Sequence, residues 1–489
     1  MQEQKPGRAG ARSQPAKVLN IAVPLVTFAL ILVLYYSHLP LYASSASALL
    51  LLAFSGIIIS RVNKLEGFYG LYMLKTQRGI ALIDSLSGKH AWLWNALPEW
   101  GGVLGLGLLS GTILRIRPSK AMLLLGIISA VLVAFVVIPN TSLFITFLNL
   151  PGLNGIAPSA NAIYLPSLSA PIIILVILSI IGGVLFLILG LLLFGAASIL
   201  SALFVTVSTI VSGNPNYAAL SQQLPGVAPI IPGLTIPLFS GILSLALVLI
   251  VHESLHGVIA RRFKVRLKSV GLLPFGIIPI GAFVEPEEKD VSKLKKQDQN
   301  RIFIAGISSN FVMVFIFFVL TSIMLVAVMP AFFHSAVIVQ TTIPGYPAYN
   351  VIAPGSQVYY WNSVKVSQTS QIEAASHNSM PFATVTVNTS EGNYLFHTNA
   401  TGKIGVYLEQ TQVPNARGIQ NGIISFLYSF FVISFVINLF VGGMNLLPLP
   451  MLDGWRIYKN RIKSRKMLHA IGWAVLIIII ILALPWIWL

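Results

Sequence analysis

The sequence contains no cysteine. Disulfide bridges and thiolate metal sites are both excluded, so any bound metal must be held by His, Asp or Glu. Charge is scarce too: 9% of residues are Asp, Glu, Lys or Arg, against about 25% in an ordinary soluble domain. Acids are the rarer sign, 14 against 31 Lys and Arg, and from Ala121 to Val251 no side chain is charged at all. What fills the space is apolar. Hydrophobic residues make up 56% of the 489 positions, in recurring runs of roughly 17–25 residues, the length that crosses ~30 Å of hydrocarbon. The composition predicts a polytopic membrane protein.

A formal net charge of +17 invites a nucleic-acid partner. The distribution argues otherwise, because no basic patch is interleaved with stacking aromatics. The cations cluster in the tail (Lys5, Arg8, Arg12, Lys17), in 61–89, at Arg115–Lys120, in 261–301 and in 456–466, separated by uncharged connections. That alternation is the positive-inside pattern and orients the chain, with the tail cytosolic. The expected partner is the lipid bilayer, not a nucleic acid.

The expected order is a cytosolic basic tail (1–17) and a transmembrane hairpin (18–60). Ala46-Ser47-Ala48 resembles a cleavage site, but the apolar run at 18–36 is longer than a signal-peptide core and a second run follows at once. An uncleaved anchor is expected. Residues 61–120 read as cytosolic or interfacial, with the Gly-rich stretch 101–114 as a re-entrant segment. Transmembrane helices with uncharged external loops follow over 121–234, with two passes in 171–211 hinged near Phe194-Gly195-Ala196-Ala197. Residues 235–330 hold a first group of membrane segments. Period-two alternation in ATVTVNTS, NYLFHT and KIGVYLEQ predicts a small strand-rich domain at 331–420, placed outside by the topology. Residues 421–466 form a second group, and 467–489 a last transmembrane helix. The sum is about eight spans.

One run, LVLIVHESLHGVIARRF at 247–263, carries His252, Glu253 and His256. On a helix, positions i and i+4 share a face, so both imidazoles can reach one metal ion while Glu253 stands beside them as a base. Ionisable groups in a span are costly unless they are paired or bind metal. The bland alternative has the histidines making interhelical hydrogen bonds and Glu253 reaching Arg261. A catalytic zinc site needs a third protein ligand. Of the acids, only Glu253 and Asp453 fall within or at the end of long apolar runs. Glu253 precedes Arg261 by eight residues, ~12 Å of helix at 1.5 Å per residue, and Asp453 precedes Arg456 by three. Both lie toward the cytosolic side and can meet. The alternative for Asp453 is a turn residue paired with Arg456.

H-E-x-x-H in a span, followed by N-x-x-P-x-P-x-x-D-G at Asn445, Pro448, Pro450, Asp453 and Gly454, resembles the site-2 protease family of intramembrane zinc metalloproteases. Gly306 and Asn310 in GISSN are similar to the family's G-x-x-x-N. Pro279, Gly281, Ala282 and Val284 resemble its membrane-associated hairpin. Ala353-Pro354-Gly355-Ser356 followed by VYYWNSVKV resembles the PDZ-like domain of many members, although Ser363 stands where a Gly commonly follows Asn. The resemblance covers about 235–456. It implies a polytopic α-helical membrane protein with an inserted β-rich, PDZ-like extracytoplasmic domain, in the cell membrane. It also implies Zn²⁺ on His252, His256 and Asp453 toward the cytosolic side, with Glu253 as the catalytic base. The substrate would be a transmembrane segment of another membrane protein. Asn445 and Asn310 are candidates for holding the oxyanion or the unwound substrate strand, with an interhelical hydrogen bond as the alternative for Asn310. A metal or ion transporter would need neither Glu253 in that motif nor an external β-domain, and a catalytically silent scaffold would not need Glu253.

Overall fold

The computed structural model describes residues 14–36, 41–76, 78–141, 169–214, 216–221, 226–227, 230–232, 235–376, 380–415 and 419–487. Most of the basic tail, most of the expected external loop at 139–170, parts of 212–235, and His38 and His377 lie outside the described residues. Along the chain the principal helices are α1 (Gln14–Tyr36), α2 (Leu41–Val62), α3 (Arg78–Gly88), α4 (Ala91–Leu106), α5 (Ser110–Leu114) and α6 (Lys120–Leu132). They continue with α7 (Ala170–Val211), α8 (Leu238–Arg262), α9 (Lys296–Ile323), α10 (Ile419–Met444), α11 (Asp453–Arg461) and α12 (Arg465–Ala483).

Seven helical runs among the described residues are long and apolar enough to cross a membrane: Ala91–Leu114, Lys120–Thr141, Ala170–Val211, Leu238–Arg262, Lys296–Phe332, Asn421–Met444 and Arg465–Trp486. The sequence-based tally of about eight was composed differently. It included passes near 18–36 and 45–60, which here contain the shorter apolar helices Val18–Leu34 and Ser47–Val62, and it left out 91–114.

Two regions depart from expectation. Residues 101–114, read as re-entrant, belong to one helical run from Ala91 to Leu114, interrupted by a 3₁₀ turn at Gly107–Leu109. Much of it is covered: Val103, Leu104, Leu106 and Leu114 are all buried, while Leu108 is exposed. The break in 171–211 falls at Gly183, not at 194–197, with φ +60 and ψ −153. A Cβ on Gly183 would collide with the carbonyl of Leu104, so the break lies where two backbones touch. Hydropathy counts apolar residues and is blind to such contacts.

The chain forms two compact units. The first comprises 1–131, 177–313 and 437–489. Besides helices it holds an antiparallel sheet of β1 (Gly67–Phe68), β2 (Leu71–Tyr72), β3 (Leu74–Thr76), β4 (Leu267–Phe275) and β5 (Ile278–Pro286). β2 and β3 pair with β4, and β5 pairs with β4 as well, from Leu267↔Pro286 to Phe275↔Ile278. A buried cluster of Ile83, Leu255, Val258, Ile259, Val265 and Ile302 joins α3, α8 and α9.

The second unit comprises 132–176 and 314–436. Its antiparallel sheet runs β10 (Gly392–His397), β9 (Thr384–Thr389), β7 (Gln357–Trp361), β6 (Phe333–Thr342), β11 (Val406–Pro414), with β8 (Val364–Lys365) on β7. Val337, Val339, Val358, Val385, Val387 and Phe396 form its core, closed by Ile372 from the short helix Thr369–Ser376. Asn362 and Ser363 link β7 to β8 with φ +48 and +64. Both central residues of this two-residue hairpin are left-handed, which is why Gly is favoured where Ser363 stands.

Candidate metal centre

α8 is apolar on every side, so no hydrophobic stripe sets its register. Its polar residues mark the inward face instead. His252 and His256, one turn apart, are 6% and 9% exposed and lie against α9. A Cβ on Gly306 of α9 would collide with Nε2 of both imidazoles, so this glycine keeps open the space their donor atoms share. Asp453 comes from the other end of the chain as the first residue of α11, 8% exposed.

The segment between α10 and α11 is shaped by its own backbone. Leu452 N–H donates to the Leu449 carbonyl at 3.2 Å, with Pro450 second in that turn and Met451 third at φ +76. Pro at the second place presets the turn, and the third requires positive φ. Gly454 N–H then donates to the Asn445 carbonyl at 2.7 Å, tying the start of α11 to the end of α10. The far end of α11 is clamped to α9. Asn460 Nδ2 donates to Gln299 Oε1 and Asn300 Oδ1 at 3.2 and 2.8 Å, and Lys296 Nζ donates to Asn460 Oδ1 at 2.9 Å. Asn300 Nδ2 in turn donates to the Leu114 carbonyl at 2.8 Å.

The three side chains converge. His252 Nε2 is 3.2 Å and His256 Nε2 3.0 Å from Asp453 Oδ2, and the two Nε2 atoms are 3.2 Å apart. Among the described residues this is the one group of three His, Asp or Glu side chains near enough to hold a metal ion. Burial works against an ionised Asp453, but the two imidazoles outweigh it and hold its carboxyl well below the usual carboxylate range. The simpler pairings are not made. Arg261 pairs with Asp84, and the Arg456 guanidinium lies over the Phe303 ring, 5.7 Å from its centre.

The residues fit a zinc ion. Tetrahedral coordination at about 2.0–2.1 Å holds donors roughly 3.3 Å apart, close to the 3.0–3.2 Å found here. His256 Nδ1 is 2.7 Å from the Ile302 carbonyl, which can only accept, so Nδ1 carries a proton, and in the neutral ring that a metal requires the lone pair is then on Nε2. Asn310 sits behind His252 with Nδ2 3.0 Å from Nδ1, while its Oδ1 is buried without a partner. Turning this amide over by 180° lets Oδ1 accept from His252 Nδ1–H and frees the second Nε2. A ring nitrogen fixed by a carbonyl or amide oxygen, with the other left for metal, is the usual arrangement of ligating histidines.

The remaining sequence candidates lie around this cluster. Glu253 is half-buried, and its Oε2 accepts from the backbone N–H of Val284 at 3.1 Å. Asn445 donates through Nδ2 to the Val441 carbonyl of its own helix at 3.0 Å. Pro448, Pro450 and Gly454 shape the approach to Asp453. Sequence reasoning missed the Val284, Ile302 and Asn460 contacts. It also passed over Glu99, which lies inside the run Ala91–Leu114 and pairs with Arg301 at 2.8 Å. The only prior sign of the clamp was three amides, Gln299, Asn300 and Asn460, near helix ends, a pattern too common to single out.

The profile of Peptidase family M50 matches residues 240–484, half of the chain, and takes in all four motif residues of this centre. The chain belongs to peptidase family M50. This is the family of the site-2 proteases, metal-dependent peptidases that act within the bilayer on membrane proteins. The M50 chain is also 26% identical over 241 residues to Uncharacterized protein MJ0971 of Methanocaldococcus jannaschii, a stretch covering 48% of this chain and 61% of that protein. The chain thus spans about three fifths of that relative's length.

Proposed function

We propose that this M50 chain is an intramembrane zinc metalloprotease that cleaves transmembrane segments of membrane proteins, with its active site toward the cytosolic side. The observation that carries the reading is the meeting of His252, His256 and Asp453 donor atoms at 3.0–3.2 Å from motifs about 200 residues apart. These three side chains would hold Zn²⁺. When bound, zinc supplies a Lewis acid and brings the pKa of a water toward ~7.

The other steps belong to the chain. Glu253 takes the proton of the attacking water and returns it to the leaving amine. Asn310 fixes the tautomer of His252, which accounts for its burial better than direct contact with substrate would. Asn445, at the end of α10, remains the candidate donor to the oxyanion once its amide leaves the Val441 carbonyl. A helical substrate hides its peptide groups and must unwind locally. The outer edge of β5 has no strand partner among the described residues and supports docking of the unwound strand by edge pairing. The sheet at 333–414 is the proposed PDZ-like domain, outside the membrane, where it would screen substrates. Deleting 340–412 should abolish any preference for trimmed over full-length substrates; an unchanged preference would remove that role.

The central test uses purified full-length protein in detergent, with zinc per chain and cleavage of a model transmembrane peptide measured together. Glu253→Gln should retain about one zinc, since it keeps the three ligands, and lose cleavage by ~10²-fold or more. Cleavage that survives this substitution overturns the reading.

A further inference from the structure

Among the described residues, the hydrogen bond that holds the Glu253 carboxylate comes from the main chain and not from a side chain. Glu253 Oε2 accepts from the backbone N–H of Val284, in the middle of β5. In an antiparallel pair, successive residues turn their N–H and C=O groups alternately toward the partner strand and away from it. Val270 on β4 stands opposite Val284, so an N–H given to Glu253 belongs to the outward set on the unpaired edge of β5. The Val284 side chain packs against the buried cluster around Leu255, Val258 and Ile259, which holds that amide in place beside α8.

We propose that the Val284 backbone N–H is a positioning group for the catalytic carboxylate, so that β5 sets the geometry of proton transfer as well as offering an edge to substrate. The inference rests on the reading of Glu253 as the base. Glu253 has three rotatable bonds before its carboxylate, and a proton shuttle works only within hydrogen-bond reach of its proton donor. A side-chain partner could swing away with its own rotamer. A backbone amide in a paired strand cannot. Its charge-assisted bond to one oxygen restrains the carboxylate plane and leaves the second oxygen for the proton. The two roles of β5 also compete: a substrate carbonyl that paired with Val284 N–H would release Glu253, so productive substrate strands pair with β5 on either side of this residue.

The test removes the N–H. Val284→Pro deletes the donor at an outward-facing edge position, where proline is tolerated, and Val284→Ile keeps both the donor and the branched side chain. With the full-length holoenzyme and a transmembrane peptide, Val284→Pro should lower kcat by about 10–10²-fold, part of what general base catalysis supplies. KM and zinc per chain should stay within about twofold of the unmodified protein, and Val284→Ile should recover the kcat. Should Val284→Pro fail to fold, hydrogen exchange at the Val284 amide decides, read in chelator-treated protein. Exchange at least about tenfold faster in Glu253→Ala than in the unmodified chain supports the contact. A rise in KM with kcat unchanged would assign the N–H to substrate, and equal exchange would show that the contact is not made; either overturns the proposal. Failure of the base reading itself shows separately, as cleavage retained by Glu253→Gln.

Discussion

In β9 of the second unit, Val385 and Val387 are buried while Thr384 and Thr386 are exposed. In α8 and the part of α9 up to Met313, which belong to the first, apolar residues lie on every face, and the fully buried positions include Ser244, Asn300, Ser308 and Asn310. Along this strand, alternation turns Thr384 and Thr386 outward and the two valines inward. The membrane helices admit polar groups and hold several by hydrogen bonds: Asn300 on Leu114, Asn310 on His252, Ser308 on its own helix at Ile304. Where the surroundings are oil, apolar burial carries little information about which face is inside, and packing is set by small residues and hydrogen-bonded polar ones. The information in the first unit therefore sits in its exceptions.

That contrast can be broken by substitution, and the largest effect should come at the centre itself. Asp453→Ala should reduce zinc per chain by at least about tenfold, because two histidines alone do not make a catalytic site. Metal analysis after gel filtration reads this, while limited proteolysis should find the second unit as resistant as before. Zinc retained in full would mean that the ligand set is wrong. Next comes Asn310→Leu, which keeps the bulk and removes the amide. Loss of a group that orients a ligating histidine typically costs 10–100-fold in metal affinity, measured here by competition with a chelator. Asn310→Asp can still accept from His252 Nδ1–H and should recover most of it. Smallest at the site, though not for the fold, is Ile372→Ala. It should cost the second unit about 2–5 kcal/mol, seen by pulse proteolysis in urea, with zinc content unchanged. Zinc lost with Ile372→Ala would show that the division of labour between the units is false.

The same contrast explains what could be read in advance. His252 and His256 at helical spacing, and Asp453 at the end of a broken apolar run, stood out because ionisable groups are rare in such surroundings. The strands at 384–389, 392–397 and 406–414 were legible from period two. What escaped was set by three-dimensional contact between apolar neighbours. The burial of 91–114 and the break at Gly183 rest on close backbone approaches that leave no period in the sequence. The partner of Glu253 is a main-chain N–H, which every residue but proline carries, so no pattern could have pointed to Val284. Arg261 was the obvious mate for Glu253 by spacing, yet Asp84 on α3 takes it.

One helix touches both histidines and the far end of α11. From α9, Gln299 and Asn300 hold Asn460, the Ile302 carbonyl holds His256, Gly306 makes room for both imidazoles, and Asn310 backs His252. The two motif segments are thus aligned by a common template and not by the chain that joins them. Lengthening, shortening or exchanging residues between α9 and α10 should leave the distances among the donors unchanged. A chain severed within that insert should still assemble, because the fragment that ends after α9 already carries the shape that the fragment with Asp453 must fit.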